Sequence, residues 1–131
     1  DHEWSSQPLS DDQLGWDWFS LSFVDGAKLM GFQLRQKDGS LYSSSTWISA
    51  DGSTSSYPNG AFSAIPLYIK SIKDHNMPIK WRVTLPDKNV DVVVTAHNPD
   101  AWMELSIPYW EGPVNVSGSH LGHGYLEMTG Y

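Results

Sequence analysis

The side chains best suited to proton transfer stand at the start of the chain and near residue 111. His2 and Glu3 immediately precede Trp4, and Glu111 lies between a Tyr-Trp pair and a Gly-Pro pair, where a strand is expected to end. A histidine or carboxylic acid beside an aromatic wall can exchange a proton near neutral pH. We therefore take His2, Glu3 and Glu111 as candidate catalytic residues. The competing interpretations are a frayed terminal histidine and a solvated glutamate on an outward strand face.

Aromatic side chains indicate a binding site for a small molecule. The 131 residues include seven Trp, three of them within the first 18 positions. Each Trp ring buries roughly 150–250 Å² and carries an N–H that needs a partner, and pockets for small molecules combine aromatic walls with a few polar groups. The candidate ligand-binding residues are Trp4, Trp16, Trp18, Gln33, Arg35, Trp47, Trp110 and Tyr125.

Composition excludes several classes of function. The net charge is −7 with only eight Lys and Arg, so we expect no nucleic-acid partner. The chain has no cysteine, and His120 and His123 lie in a Gly-rich stretch without a third ligand, so no metal is expected. No phosphate-binding glycine loop follows a strand, so no cofactor is expected either.

Turn signals and alternating hydrophobicity predict an all-β domain. Asp-Gly pairs begin at positions 25, 38 and 51, and an Asn-Gly pair begins at 59. Residues 79–85 are apolar at every odd position, and the segments 90–95, 103–110, 113–117 and 124–130 are also strand-like. We expect eight to ten antiparallel strands in a meander that closes into a barrel or flattens into a sandwich.

The first hairpin can be assigned a register. If Asp25 and Gly26 form a two-residue loop, Leu21 and Phe19 face Met30 and Phe32, and on the opposite face Trp18 and Trp16 lie across from Gln33 and Arg35. A four-residue loop keeps the same faces, whereas an odd loop mixes them. The Trp-bearing face is then either the outer surface or the lining of a cavity or interface. Two Trp on one outward face are unusual, which favours the second interpretation.

Several motifs in order resemble a known family. They are Asp-His-Glu-Trp-Ser-Ser-Gln-Pro-Leu (1–9), Gly-Trp-Asp-Trp-Phe-Ser-Leu (15–21), Leu-Met-Gly-Phe-Gln-Leu-Arg (29–35), Thr-Trp-Ile-Ser (46–49), Lys-Trp-Arg-Val-Thr-Leu-Pro (80–86), Tyr-Trp-Glu-Gly-Pro-Val (109–114) and Gly-Tyr-Leu-Glu-Met-Thr-Gly-Tyr (124–131). Together they resemble the AttH family of lipocalin-like proteins, which includes carotenoid and kievitone hydratases. The match covers nearly the whole chain and resembles the C-terminal domain of a tandem pair.

The resemblance implies a lipocalin-like antiparallel up-and-down β-barrel with an apolar cavity. In the hydratase branch an acid is thought to protonate an alkene before water adds. His2 and Trp4 match the family's His-x-Trp, but the acid aligns with the strand that carries residues 31–33, and Gln33 cannot deliver a proton. The resemblance also implies a second lipocalin-like domain or a homodimer as partner, and a periplasmic or secreted location.

Two functions follow. The domain forms half of a cofactor-free hydratase, isomerase or hydrolase site for a hydrophobic small molecule, or it is a non-catalytic lipid carrier or accessory domain of an export system. Fold alone decides neither. A titratable group buried beside the Trp cluster would favour an enzyme, whereas burial of only Gln33, Arg35 and Ser20 there would favour a carrier.

Overall fold

Ten strands and one 3₁₀ turn make up the computed structural model, which describes residues 9–131. The strands are β1 (Gln13–Phe23), β2 (Lys28–Gln36), β3 (Leu41–Ile48), β4 (Thr54–Tyr57), β5 (Ser63–Ile72), β6 (His75–Leu85), β7 (Val90–Ala96), β8 (Trp102–Met103), β9 (Tyr109–Gly118) and β10 (Gly122–Thr129), with the 3₁₀ turn at Pro86–Lys88. Within the described residues, no helix is long and apolar enough to span a membrane.

All strand pairs are antiparallel, in the order β4-β3-β2-β1-β10-β9-β7-β6-β5, with β8 paired to β9. This sheet curls around one core, and the expected lipocalin-like all-β fold is confirmed. Its two edges are β4 and β5, and among the described strands no ladder joins them. The loop between them crosses to β3, where Ser43 Oγ donates to the carbonyl of Phe62 at 3.0 Å.

Aromatic side chains fill the interior beside β1. Phe19 packs edge-on against Trp81, with 5.5 Å between ring centroids, and in a tilted arrangement against Phe62, with 6.0 Å. Phe62 lies directly over β2, because a Cβ added to Gly31 would come within 2.3 Å of its ring. Only glycine at this position lets the ring approach the strand backbone so closely.

Three hairpins share one turn geometry. In each, Asp and Gly are the second and third residues of a three-residue loop, and Gly26, Gly39 and Gly52 have φ of 91°, 85° and 87°. In the first hairpin the N–H of Phe23 donates to the carbonyl of Ala27 at 2.9 Å, and the Ala27 N–H donates to the Asp25 carboxylate at 3.0 Å. A type I turn followed by a left-handed glycine is the standard three-residue hairpin loop.

The expected register of the first hairpin is therefore wrong. The loop is odd, so Trp18 opposes Phe32 and Asp17 opposes Gln33. The face that points inward carries Phe19 and Leu21 together with Gln33 and Arg35 rather than with Met30 and Phe32. The outward face is the one that combines Trp16 and Trp18 with Met30, Phe32 and Leu34.

The strand expected over residues 103–110 is also wrong. β8 contains only Trp102–Met103, and β9 begins at Tyr109. Pro108 lies just before β9 and has no N–H to give to a ladder, which fits an irregular segment at this point. The other four segments fall largely within β6, β7, β9 and β10, as expected.

Candidate functional site

A carboxyl group is enclosed at the inner face of β1. Asp17 has no solvent-exposed surface, and its strand neighbours are Gln33 on β2 and Met128 on β10. The alternation that turns Phe19 inward also turns Asp17 inward. Burying a charged group costs free energy unless partners hold it, so its hydrogen bonds determine what it can do.

Three side chains hold the Asp17 carboxyl. The Tyr131 hydroxyl donates to Oδ1 at 2.9 Å, and Gln33 Nε2 and Arg35 Nε donate to Oδ2 at 3.4 and 3.3 Å. The Arg35 guanidinium also donates to the backbone carbonyls of Thr129 and Gly130, and it lies 3.8 Å from the centre of the Tyr131 ring. We name Asp17, Gln33, Arg35 and Tyr131 the Asp17 cluster.

Burial raises the pKa of Asp17 to about 6, even though the Arg35 charge and the hydrogen bonds from Tyr131 and Gln33 lower it. Desolvation is thus the dominant cause. Burial and the nearby Asp17 charge raise the pKa of Tyr131 as well, so its phenol stays protonated and acts as a donor. A carboxyl with this pKa can take up or release a proton near neutral pH.

The first residue of β6 supports the cluster from the other side. His75 Nδ1 contacts the carbonyl oxygen of Tyr131 at 2.6 Å, and the His75 ring stacks on Trp102 at 4.0 Å. Tyr131 is therefore held between β2 and β6. The cluster therefore depends on strands that are far apart in sequence. The contacts of Tyr131 with Arg35 and His75 fix the position of its hydroxyl, which faces Asp17.

The structure places the expected site residues in three environments. Gln33 and Arg35 belong to the Asp17 cluster. Trp16, Trp18, Glu111 and Tyr125 lie on the outward face of β1, β9 and β10, where Trp16 Nε1 donates to Glu127 Oε1 at 2.7 Å. Trp47 and Trp110 are buried in the core. His2, Glu3 and Trp4 lie outside the described residues.

The two core tryptophans have structural contacts. Trp110 is fully buried, with its Nε1 donating to the carbonyl of Pro99 at 2.8 Å. Trp47 stacks on Phe23 at 5.7 Å between ring centroids. The expected residues in the described part of the chain therefore do not form one continuous surface, and their contacts with a ligand stay a prediction.

Asp17 was not among the residues selected from the sequence. The sequence signal for Asp17 is its odd-numbered position in β1. The same face of the strand carries Gly15, Phe19 and Leu21, and the last two are plainly core residues. A carboxylate in such a row is either paired inside the fold or functional. The correct loop length would also have placed Gln33 opposite it.

Two other features help to delimit the site. A recess of about 270 Å³ lies at the far end of β1, lined by Phe23, Val24, Asp25, Ser119, His120 and Leu121, none of which belongs to the Asp17 cluster. The described residues contain no group of three or more His, Cys, Asp or Glu that could hold a metal ion.

Comparisons with known proteins agree with this fold. A family model described as AttH-like matches residues 1–131. A crystal structure of a protein assigned as an AttH from Nitrosomonas europaea superposes with a TM-score of 0.85 at 31% identity, over 98% of this chain and 42% of that one. Kievitone hydratase from Nectria haematococca superposes with a TM-score of 0.69 at 16% identity, over 89% and 39%. This chain thus spans less than half the length of either structure. No curated protein matches it.

Proposed function

Because the chain belongs to the AttH-like family, we propose that this lipocalin-like domain contributes Asp17 as the proton-transferring group of a site for a hydrophobic small molecule. The reaction class that we propose is hydration of a carbon–carbon double bond. The observation that carries the proposal is a fully buried carboxyl whose pKa is raised to about 6. One of the solved structures that are similar to this chain is named as a hydratase.

The chemistry needs one group that gives a proton and then takes one back. Protonated Asp17 gives its proton to an alkene carbon, and the other alkene carbon becomes a cation. Water then forms a bond to that carbon and returns one of its protons to the Asp17 carboxylate, so the net change is addition of one water molecule. Arg35 and Gln33, which donate to the other carboxylate oxygen, stabilise the charge between the two transfers.

The position of Gln33 supports the assignment of Asp17 as the acid. The resemblance places an acid on the strand with residues 31–33, but an amide cannot donate a proton to an alkene. Asp17 lies directly across the β1–β2 ladder from Gln33, with 3.4 Å between Asp17 Oδ2 and Gln33 Nε2. A carboxyl group is thus present within hydrogen-bonding reach of the Gln33 side chain, on the neighbouring strand.

Two partners of Asp17 are partly exposed to solvent, whereas Asp17 itself is not. The Arg35 side chain is 16% exposed and Tyr131 is half-buried, whereas Asp17 itself is enclosed. A substrate that reaches the carboxyl must displace the Tyr131 hydroxyl from Oδ1. Loss of that hydrogen bond to the charged form raises the pKa of Asp17 further and favours its protonated form at the start of the reaction.

The test combines binding and turnover. We expect N-phenyl-1-naphthylamine to bind the purified protein with a submillimolar dissociation constant and to quench Trp emission. We expect kievitone, the compound in the name of the similar hydratase, to gain the mass of one water molecule. Asp17→Asn should slow that reaction at least about 100-fold while it changes fluorophore affinity only a few-fold. Asp12→Asn, at an exposed position before β1, is the matched control.

A non-catalytic lipid carrier, or an accessory domain of an export system, is the second candidate function. It is favoured by the complete enclosure of Asp17 and by the donors on both of its oxygens, an arrangement that also suits a purely structural ion pair. Fluorophore binding without turnover of kievitone would support the carrier. Turnover that Asp17→Asn leaves unchanged would exclude Asp17 as the acid.

A further inference from the structure

The outward face of the four central strands β2, β1, β10 and β9 is aromatic. An antiparallel sheet with one face on the core normally presents polar side chains on the other. Here the outward positions carry Met30, Phe32, Leu34, Trp16, Trp18, Tyr109 and Tyr125, which we name the aromatic outer face. These side chains are half-buried except Tyr125, which is 42% exposed.

Two carboxylates lie within this face. Glu111 and Glu127 are directly opposite each other in the β9–β10 ladder, and Trp18 is the partner of Glu127 on β1. Neither carboxylate is within 4.0 Å of a Lys, Arg or His nitrogen among residues 9–131. Burial and the charges of Glu111 and Glu127 raise the pKa of Tyr109. Like charges directly opposite in a sheet are unfavourable, so a cation placed between them would stabilise the fold.

The side chains of the aromatic outer face indicate what kind of group could bind there. A guanidinium group bonds two carboxylate oxygens with well-defined geometry and stacks on indole rings, so arginine matches both the Glu pair and the Trp frame. Apolar side chains beside that arginine would cover Phe32 and Met30. A second copy of this chain is a poor match in a symmetric pairing, because it would bring another Glu pair towards this one and each copy carries −7.

We propose that the aromatic outer face docks a partner protein through an arginine side chain that contacts Glu111 and Glu127 and is flanked by apolar residues. The charge complementarity of the Glu pair and the aromatic frame carries this assignment. It is independent of Asp17, which points to the opposite side of the sheet.

The test uses the indole N–H of Trp16, which donates to Glu127 and so reports on that carboxylate. The probe is the peptide Ac-Leu-Arg-Leu-NH2, with Ac-Leu-Gln-Leu-NH2 as its uncharged match. We expect the arginine peptide to shift the Trp16 indole resonance, assigned with Trp16→Phe, and the glutamine peptide to shift it at least about tenfold less at equal concentration.

Variants separate the carboxylates from the fold. Glu127→Gln and Glu111→Gln should each weaken binding of the arginine peptide about tenfold or more, whereas Glu104→Gln, on the exposed segment after β8, should leave it unchanged. Because Glu127→Gln alters the Trp16 hydrogen bond, Glu111→Gln is the second, independent variant. Equal shifts by both peptides, no shift by either in the folded protein, or a homodimer that Trp18→Glu dissociates would each overturn the proposal.

Discussion

At the scale of single residues, Asp17 shows how burial can dominate a local charge balance. Its carboxyl receives hydrogen bonds from Tyr131, Gln33 and Arg35, and all three lower its pKa. Enclosure still raises that pKa to about 6, because the protein replaces water that would solvate the charge on every side. The folded protein therefore binds a proton at Asp17 in a pH range where the unfolded chain does not.

The stability of the fold should depend on pH through this residue. Between pH 4 and 6 the folded state holds more protons at Asp17 than the unfolded state does, so this contribution is full below pH 4 and is lost as pH rises through 6. A change from 3.8 to about 6 corresponds to roughly 3 kcal/mol.

Urea unfolding of the native protein and of Asp17→Asn, compared at pH 4 to 7, isolates this contribution. We expect the native protein to lose stability relative to the variant as pH rises. Asp38, Asp51 and Asp91, whose pKa values are lowered, act in the opposite direction but are present in both proteins. A difference in unfolding free energy that is constant with pH would contradict the raised pKa.

Tyr131→Phe should test the shortest hydrogen bond that the Asp17 carboxyl receives. The variant removes only the hydroxyl that donates to Asp17 Oδ1. A hydrogen bond to a charged group contributes about 1.5–3 kcal/mol, so we expect a loss of this size at pH 7 and a smaller one at pH 5, where Asp17 is mostly neutral. Tyr68→Phe, at a position 58% exposed, is the control for loss of a phenol. Equal losses at both pH values would show that the hydroxyl does not sense the charge.

At the scale of strands and turns, local signals were the most readable part of the sequence. Asp-Gly pairs marked the turns correctly because glycine alone accepts their positive φ without strain, and alternation located most strands. The sequence did not show whether the loop has an even or an odd number of residues, because Asp-Gly occurs in both two-residue and three-residue hairpin loops. The third loop residue of the first hairpin shifts the β1–β2 register by one, so Gln33 and Arg35 lie on the core face instead of the expected face.

Gly31 and Gly39 should respond differently to alanine. At Gly31 the new Cβ would meet the Phe62 ring, and overpacking of this kind costs about 1–3 kcal/mol. At Gly39 the space is open but φ is 85°, so only backbone strain of about 1 kcal/mol is expected. Urea unfolding of both variants measures the two costs.

Shortening the Phe62 side chain should reduce the stability cost of alanine at Gly31 but not at Gly39. Phe62→Leu shortens the side chain that covers Gly31, so in the Phe62→Leu background the added cost of Gly31→Ala should fall by half or more. The cost of Gly39→Ala should be the same in both backgrounds. Additive effects of Gly31→Ala and Phe62→Leu would mean that this ring does not lie over β2.

At the scale of the whole molecule, the candidate site could not be assembled from sequence. Asp17, Gln33 and Tyr131 come from β1, β2 and the residues after β10, and they meet because β10 lies beside β1 in the sheet. No local pattern encodes that adjacency. The aromatic outer face likewise depends on pairing between β1, β10 and β9, although the presence of two Trp on one side of β1 was visible from alternation.

The expected homodimer stays a prediction, and we place its contact at the edge strand β5. The edge strand β5 exposes Ile65, Leu67, Tyr68 and Ile69, each between 50% and 58% exposed. Pro66 and the bulge around Leu67 interrupt the β5–β6 ladder, and such features discourage the addition of another strand at an edge. We therefore expect two copies to associate by side-chain packing at β5 rather than by continuing the sheet.

This association should be weak and specific to β5. The four side chains offer on the order of 400 Å² of apolar area, about half of the roughly 800 Å² that each partner buries in a stable complex. Sedimentation equilibrium should show monomer at micromolar protein and a growing dimer fraction towards millimolar concentration. Ile69→Lys should abolish that fraction, while Tyr125→Lys, on the aromatic outer face, should not. A single monomeric species over the whole range would end the dimer hypothesis, and a dimer that survives Ile69→Lys would move its interface away from β5.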